Sequence, residues 1–309
     1  MAGEVGDPRR AARGTACDYG PSMSSLWDKT TLGRTGLSVS RLGIGSSAGV
    51  GGADIERAVE RGINYLYYGS LRRAGFAEGV RAVTRKRRED LVVVVQSYTR
   101  AACLMGVGFE RGLRQLGVDH ADVLLLGWWN RPPPRRIVDA ALKLRDAGKA
   151  KHVMISCHDR GMFAKYADDP DYGAIMVRYN AAHPGAEREV FPKIEGMEAA
   201  RRPGVVAYTA TRWGALLDPA LTPPGEKTPR ASDCYRFSLT HPTVDMSLCA
   251  PADGAQLDEA MSALDRGPLD AEEMAWMKRV GASERAASAT KGGNMPIQLL
   301  DRLVGAASR

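Results

Sequence analysis

Residues 90–129, "DLVVVVQSYTRAACLMGVGFERGLRQLGVDHADVLLLGWW", contain two apolar runs on either side of a segment with helical spacing. The runs "LVVVV" and "ADVLLLGWW" are apolar at consecutive positions, which is typical of strands buried on both faces in a parallel sheet. The segment between them, "MGVGFERGLRQLG", ends in glycine, as many helices do. The stretch therefore predicts one strand–helix–strand unit.

The same alternation extends along the chain in both directions. A short hairpin around Arg34 to Gly36 precedes the first strand, and strand "INYLYYG" follows a helix over residues 53–62. Later apolar runs include "KHVMISCH", "GAIMVRYN", "GVVAYTATR" and "VDMSLCAP". Eight strands alternating with helices over about 230 residues favour an α/β fold of the closed (β/α)8 TIM barrel type, with an N-terminal hairpin and extra C-terminal helices.

We predict three regions in the chain. Residues 1–25 are rich in Gly, Ala, Pro and Arg without periodicity, and we expect a disordered extension, with Met23 as an alternative start. Residues 26–281 form the barrel. Residues 282–309 read as a polar linker followed by a short apolar helix, "IQLLDRLV".

Composition excludes several classes of protein. The 309 residues are 44% hydrophobic, which is enough for a large core. No apolar run approaches the roughly 20 residues that span a bilayer, and the N-terminus lacks the apolar region of a signal peptide. We expect a cytoplasmic protein that does not enter a membrane.

Charge and cysteine content give no sign of nucleic-acid or metal binding. The net charge is +7, but the only basic run, "RKRRED" at 85–90, reads as a solvated helix end, and no basic face with aromatic groups appears. The five cysteines lack a CxxC pair, and no HxH or HExxH motif is present. We therefore predict no metal, no nucleic-acid partner and a small-molecule ligand.

A glycine-rich segment raises the alternative of a dinucleotide-binding open sheet. Gly43, Gly45 and Gly49 follow a strand, but their spacing is GxGxxxG, one residue too long. No acidic residue stands about 20 positions later to hold a ribose. The barrel remains the favoured fold.

In a barrel of this type, active sites lie where the strands end. The strand-end positions form a rim that is rich in aromatic, hydroxyl and arginine side chains and poor in carboxylates. These positions include Ser47, Tyr67, Gln96, Tyr98, Trp128, Ser156, His158, His183, Thr211, Arg212 and Asp253.

An ordered series of segments over about residues 30 to 280 resembles the aldo/keto reductase family. It includes "LGRTGLSVSRLGIGSS", "GINYLYYG", "DHADVLLLGWW", "GKAKHVMISCH", "VRYNAAHPGAEREVFP" and "VVAYTATRWGALL". The resemblance implies a barrel that reduces carbonyl compounds with NADPH and without a metal. It also implies a tyrosine acid whose pKa a lysine lowers, supported by aspartate and histidine.

The four residues of that catalytic set do not carry over. The aspartate position is Tyr67, the tyrosine position is Arg72, and the histidine position is Gly127. The lysine position falls on Gln96 or Ser97, depending on a register shift of one residue. A phenol with an ordinary pKa near 10 is a poor acid without a cation beside it, so the proton relay needs a replacement.

Candidate replacements stand close to the lost positions. Phenols could come from Tyr65, Tyr67, Tyr68 or Tyr98, and fixed positive charge from Arg72, Arg73 or Arg100. We choose Tyr67, Arg72, Gln96 and Tyr98 as catalytic candidates, with Tyr67 first because it occupies a catalytic position of the family. His183, in the loop after the sixth barrel strand, is a fifth.

The resemblance also assigns part of a binding site for NADP or NAD. Ser156 and Tyr208 match the positions beside the nicotinamide, and Gln256 matches a position facing adenine. Two neighbouring amides are lost, at Cys157 and Met176. Arg212 could grip a pyrophosphate, whereas Asp253 would repel a 2′-phosphate.

Cys157 and His158 suggest nucleophilic catalysis, but consecutive strand residues point to opposite faces, so we do not expect them to pair. Three functions stay open at this point. They are an oxidoreductase with a relocated acid, a non-redox enzyme such as an isomerase, dehydratase or cyclase in the vacated cleft, and a silent ligand-binding or regulatory barrel.

Overall fold

The computed structural model describes residues 25–69 and 73–290. Eight strands pair in parallel in chain order, and the last pairs with the first, so that the sheet closes into a barrel. The predicted eight-stranded barrel is therefore confirmed. The strands are β3 (Leu42–Gly45), β4 (Tyr65–Tyr68), β5 (Val92–Ser97), β6 (Ala121–Leu126), β7 (Ala150–Cys157), β8 (Ala174–Arg178), β9 (Gly204–Tyr208) and β10 (Met246–Cys249).

Helices cover the outside of the barrel between successive strands, and the last two helices follow the last strand. They are α1 (Gly52–Glu60), α2 (Ala74–Arg87), α3 (Ala102–Leu116), α4 (Arg135–Asp146), α5 (Phe163–Asp168), α6 (Ala186–Glu189), α7 (Phe191–Glu195), α8 (Ala231–Thr240), α9 (Gly254–Arg266) and α10 (Ala271–Thr290). None of the helices in the described ranges is long and apolar enough to cross a membrane.

Two separate cores explain why the strands are apolar at every position. On β5, Val92 and Val94 point into the barrel, while Val93 and Val95 point outward against the helices. Both sets of side chains are almost completely buried. A parallel strand with two buried faces needs no polar positions, which is the pattern that the sequence shows.

The predicted hairpin is present and closes the end of the barrel away from the strand C-termini. Strands β1 (Thr30–Thr31) and β2 (Ser38–Val39) pair antiparallel, and Leu32 and Val39 pack into the interior core. Gly33 has a φ of +45°, and a side chain there would overlap the backbone at Gly204. Only glycine permits this close approach.

The C-terminal boundary differs from the prediction. We expected a linker from residue 282, but α10 continues to Thr290, and Gly281 packs against the backbone of Ala181. The linker reading fails for residues 282–290 because the buried Glu284 and the close contact at Gly281 attach this helix to the barrel. The predicted disordered extension and the predicted short C-terminal helix lie largely outside the described residues.

Candidate active site

A cavity of about 1000 Å³ opens at the C-terminal ends of the barrel strands. Its lining comes from strand ends, from the loops that follow them, and from the first turns of α8 and α9. We call it the mouth pocket. Arg230 and Glu259 are the charged side chains among the described lining residues, apart from any charge on His158, and both lie at the α8–α9 side.

The floor of the mouth pocket is formed by Tyr67, Gln96 and Tyr98. The register of β5 places Gln96 opposite Leu125, and the Gln96 side chain lines the pocket, whereas Ser97 is not among the described lining residues. A Cβ at Gly127 would overlap the Gln96 side-chain nitrogen and lie 2.8 Å from the Tyr98 ring. The space that a side chain at position 127 would need is thus taken by Gln96 and Tyr98.

Tyr98 is the shared neighbour of the other two floor residues, Tyr67 and Gln96. Burial raises the pKa of Tyr67 well above its ordinary value, and the neighbouring Tyr98 raises it further. Burial also raises the pKa of Tyr98, whereas its hydrogen bonds with Tyr67 and Gln96 lower it. Both phenols are therefore protonated at neutral pH.

The phenols of Tyr65 and Tyr68 and the cations Arg73 and Arg100 are not among the described lining residues. The Tyr68 hydroxyl donates to Gln115 at 3.0 Å on the outer face of the barrel, and Tyr65 lies in the interior core below. Arg73 donates to the Ser47 carbonyl at 2.9 Å. The Arg100 guanidinium stacks 3.9 Å from the Trp129 ring centroid and donates to backbone carbonyls of the β6 loop.

Arg72 and His183 are the two remaining residues that were predicted to be catalytic. Arg72 lies outside the described residues. His183 follows β8 as expected but is not among the described lining residues. Burial, and then the charges of Arg178, Arg212, Arg285 and Arg160, lower its pKa to about 3, so its imidazole is neutral.

One side of the mouth pocket is an aromatic wall of Tyr98, Trp128, His158 and Tyr208. Tyr98 meets Trp128 edge-on at 5.7 Å, Trp128 lies 5.4 Å from His158, and His158 stacks on Tyr208 at 6.3 Å between ring centroids. Such a continuous set of rings is suited to a flat apolar ligand.

Backbone strain is concentrated around this wall. Trp128 has a φ of 57°, and in the loop after β9 the residues Thr209, Arg212 and Trp213 have φ values of 58°, 56° and 54°. A non-glycine residue costs of order 1–2 kcal/mol in this conformation. Strained residues persist where the surrounding structure holds them, which is common at functional sites. The exposed Trp213 ring thereby reaches the pocket rim.

The residues assigned to a dinucleotide by resemblance are only partly brought together. Ser156, Tyr208 and Gln256 line the mouth pocket. Arg212 does not: its side chain is 5% exposed and pairs with Glu284 of α10 at 3.4 Å. This placement argues against the predicted pyrophosphate contact, because the guanidinium is neutralised beneath the loop.

Cys157 and His158 point to opposite faces, as strand alternation requires. Cys157 is buried in the outer core with its Sγ 3.1 Å from the Asp159 carbonyl oxygen, while His158 lines the pocket. From sequence, His158 is a rim residue whose one suggested role is as a partner for the thiol, and no role of its own is predicted. The sequence did contain a signal for a site residue, because His158 comes immediately after the strand that became β7.

Glu259 is a second residue that the sequence analysis missed. Its carboxylate accepts hydrogen bonds from the Ser232 hydroxyl at 2.6 Å and amide at 3.2 Å, and it lies 3.9 Å from the Arg230 guanidinium. It lines the end of the mouth pocket where Gln256 also lies. Helical spacing alone gave no reason to separate it from other surface acids of α9.

The aldo/keto reductase family model matches residues 53–233, more than half of the chain. The chain belongs to this family. An aldo-keto reductase from Bacillus halodurans in its holo form is similar, with a TM-score of 0.69 and 20% identity over 82% of this chain and 96% of that one. An aldo/keto reductase from Klebsiella pneumoniae in complex with NADP and acetate gives a TM-score of 0.66 and 22% identity over 82% and 96%.

In barrels of this type the active site lies where the strands end, so the mouth pocket is the candidate active site. At these identities, the solved structures support the fold alone. Within residues 25–69 and 73–290, no group of three or more His, Cys, Asp or Glu side chains is arranged to hold a metal ion.

Proposed function

We propose that this member of the aldo/keto reductase family is an oxidoreductase that binds a nicotinamide dinucleotide and reduces a small, flat, largely apolar carbonyl compound in the mouth pocket. The observation that carries the proposal is the continuity of the pocket. It runs from the floor phenols, past Ser156 and Tyr208, to the first turn of α9. A volume near 1000 Å³ is at the upper end for small-molecule sites and leaves room for both ligands.

Several lining residues fit a dinucleotide. Tyr208 offers a ring face for a nicotinamide, and the Ser156 hydroxyl has a hydrogen to donate in addition to the bond it accepts from Trp128. The N-terminus of α9 faces the pocket through Ala255 and Gln256, and helix N-termini favour phosphate groups. When bound, a reduced nicotinamide supplies a hydride.

The far end of the pocket fits a dinucleotide without a 2′-phosphate better than one with it. Glu259 is a carboxylate in the lining, and its charge is opposed there by Arg230 alone among the described lining residues. Asp253 uses its carboxylate to cap α9 at the Gln256 amide, 2.9 Å away. An added phosphate beside Glu259 would be repelled by its carboxylate, so we propose NAD(H) as the preferred form.

The substrate class follows from the aromatic wall and the uncharged floor. A flat ring system can stack against His158 and Trp128, and no lysine or arginine of the described residues lines the floor to hold an anionic group. The Gln96 side-chain oxygen is buried without a hydrogen-bond partner among the described residues. A substrate that also carries a hydroxyl or N–H group would satisfy it.

Titration of the purified protein with NADH and NADPH tests the proposal. We expect quenching of tryptophan fluorescence and an increase in Tm, both stronger with NADH. Tyr208→Leu should weaken binding, and Tyr68→Phe, on the outer face of β4, should not. Glu259→Gln should improve NADPH relative to NADH by about tenfold, and Glu226→Gln, which only breaks a surface pair with Arg279, should not. Absence of binding of both dinucleotides at millimolar concentration would refute the proposal.

A non-redox enzyme is the second candidate. It is favoured by Cys157 and Met176, where the resemblance expects amide side chains that hold the nicotinamide; Cys157 instead turns away from the pocket. Turnover of a substrate by dinucleotide-free protein would support this candidate. A silent binding barrel would bind ligands in the mouth pocket with no turnover. The predicted cytoplasmic location and the lack of a nucleic-acid partner stay predictions.

A further inference from the structure

We infer that Tyr98 is the residue that gives a proton to the substrate, and that Gln96 and Tyr67 are positioning residues that hold its hydroxyl and stabilise its phenolate. This inference rests on the proposed function. It differs from the sequence-based expectation, which put Tyr67 first because of its position in the family pattern.

Solvent access favours Tyr98 over Tyr67. The Tyr98 side chain is 48% exposed, whereas Tyr67 is 6% exposed beneath it, and both line the mouth pocket. An acid that has given up its proton must regain one from water before the next cycle. Tyr98 presents the larger exposed surface to the pocket and so meets this requirement more readily than Tyr67.

The space for this arrangement comes from Gly127. Any side chain at that position would displace the Gln96 amide and press on the Tyr98 ring. By resemblance, this is where a histidine is expected. The glycine therefore allows a glutamine from the neighbouring strand to reach the phenol in place of an imidazole.

Hydrogen bonding selects which phenol ionises first. Burial raises the pKa of both phenols, and the contact between their hydroxyls adds to the rise at Tyr67 and opposes it at Tyr98; we therefore assign Tyr67 as the donor and Tyr98 as the acceptor. Gln96 lowers the pKa of Tyr98 as well. Two neutral donors thus favour the Tyr98 phenolate where other family members are expected to use a cation. In this assignment the Tyr98 oxygen accepts from Tyr67 and Gln96, and its own hydrogen is left for a ligand oxygen.

Trp128 and Ser156 fix the direction of the Tyr98 ring. Trp128 packs edge-on against it at 5.7 Å and is itself held by the Ser156 hydroxyl. An acid must lie at a set distance from the developing alkoxide, so a ring fixed on one side by packing and at its hydroxyl by two donors meets the geometric need.

The proposed step couples a hydride transfer to a proton transfer. With a reduced nicotinamide bound, the carbonyl carbon would receive a hydride with both its electrons, and the π-electron pair of the C=O bond would move onto oxygen. The Tyr98 O–H bond breaks, and its proton bonds to that oxygen to give an alcohol. The carbonyl is reduced and the dinucleotide is oxidised. The Tyr98 phenolate then takes a proton from water.

Four variants separate the roles: Tyr98→Phe, Tyr67→Phe, Gln96→Leu and the control Tyr68→Phe. With NADH and 4-nitrobenzaldehyde as probes, Tyr98→Phe should lower kcat by at least about a hundredfold, with dinucleotide affinity changed less than about twofold. Tyr67→Phe and Gln96→Leu should lower kcat by about tenfold each, and Tyr68→Phe should leave it unchanged. Full activity of Tyr98→Phe would overturn the inference.

A spectroscopic measurement tests the positioning roles without turnover. We would place 3-fluorotyrosine at position 98 and follow its ionisation by fluorine NMR against pH. Tyr67→Phe and Gln96→Leu should each raise the midpoint, and Tyr68→Phe should not. An unchanged midpoint in both variants would overturn the roles of Gln96 and Tyr67. Failure of dinucleotide binding in the wild type would instead refute the proposed function, whatever the NMR shows.

Discussion

The Ser156 hydroxyl accepts a hydrogen bond from the Trp128 backbone N–H at 3.0 Å, and so connects β7 to a residue whose φ is 57°. The next amide, Trp129 N–H, donates to the Ser156 carbonyl at 2.9 Å. The loop after β6 is therefore hydrogen-bonded to β7 through two consecutive amides, which holds the Trp128 ring in the aromatic wall.

Ser156→Ala should cost about 1–3 kcal/mol of unfolding free energy, because it leaves the Trp128 amide without its acceptor next to a strained residue. The loosened wall should also weaken binding of a flat aromatic probe. Urea unfolding and fluorescence titration would measure the two effects. Ser247→Ala, at a buried serine of β10 outside the pocket lining, is a control for removal of a buried hydroxyl. Equal ligand affinity in Ser156→Ala and wild type would show that the wall does not depend on this bond.

Gly127→Ala should move Gln96 away from Tyr98, because the new methyl group would occupy the place of the Gln96 amide. We expect a stability loss of about 1–3 kcal/mol from overpacking and a higher ionisation midpoint of Tyr98, as in Gln96→Leu. Thermal unfolding and the fluorine NMR titration would measure these changes. Gly148→Ala, at a turn where nothing lies within 4 Å but φ is +70°, controls for the general cost of removing a glycine. A Gly127→Ala protein with an unaltered Tyr98 midpoint would contradict this account of the floor.

Arg212 and Glu284 form a buried ion pair that joins the loop after β9 to α10. Replacing one partner, as in Arg212→Met or Glu284→Gln, should cost about 3–5 kcal/mol because the remaining charge is left buried. The double variant Arg212→Met with Glu284→Leu should cost less than the two single changes added together. Denaturant unfolding of all three would reveal the coupling. Intact stability of Arg212→Met with a large loss of NADH affinity would instead restore Arg212 as a pyrophosphate contact.

His183 should make the fold sensitive to acid. Its pKa is lowered to about 3 in the folded protein, below the ordinary value of 6.5, so the unfolded chain binds a proton first as pH falls. The stability that comes from keeping this imidazole neutral is complete above about pH 6.5 and is lost progressively as pH falls towards 3. His183→Gln should therefore show a smaller decrease in Tm between pH 7 and pH 4.5 than the wild type. An identical decrease in both proteins would exclude this role.

The barrel could be predicted from sequence because strands buried on two faces are apolar at nearly every position, and the alternation with helices was regular. The site was harder to predict, because which side chains face the pocket depends on contacts between segments that are distant in sequence. Gln96 and Ser97 are both polar neighbours at a strand end, so only pairing with β6 decides which one faces the pocket. Arg212 reads as a free cation until α10 brings Glu284 against it. Residue type could not distinguish Tyr67 from Tyr98, because burial and mutual hydrogen bonding depend on the tertiary structure.

Among the described residues, the hairpin at Leu32 and Val39 closes one end of the barrel and the mouth pocket opens at the other. Molecules that occupy different depths of one blind passage cannot exchange independently. The partner seated deepest has to arrive before, and depart after, the one that covers it. Steady-state kinetics of the proposed reduction should accordingly follow a compulsory binding order, with product inhibition patterns that identify the first ligand to enter.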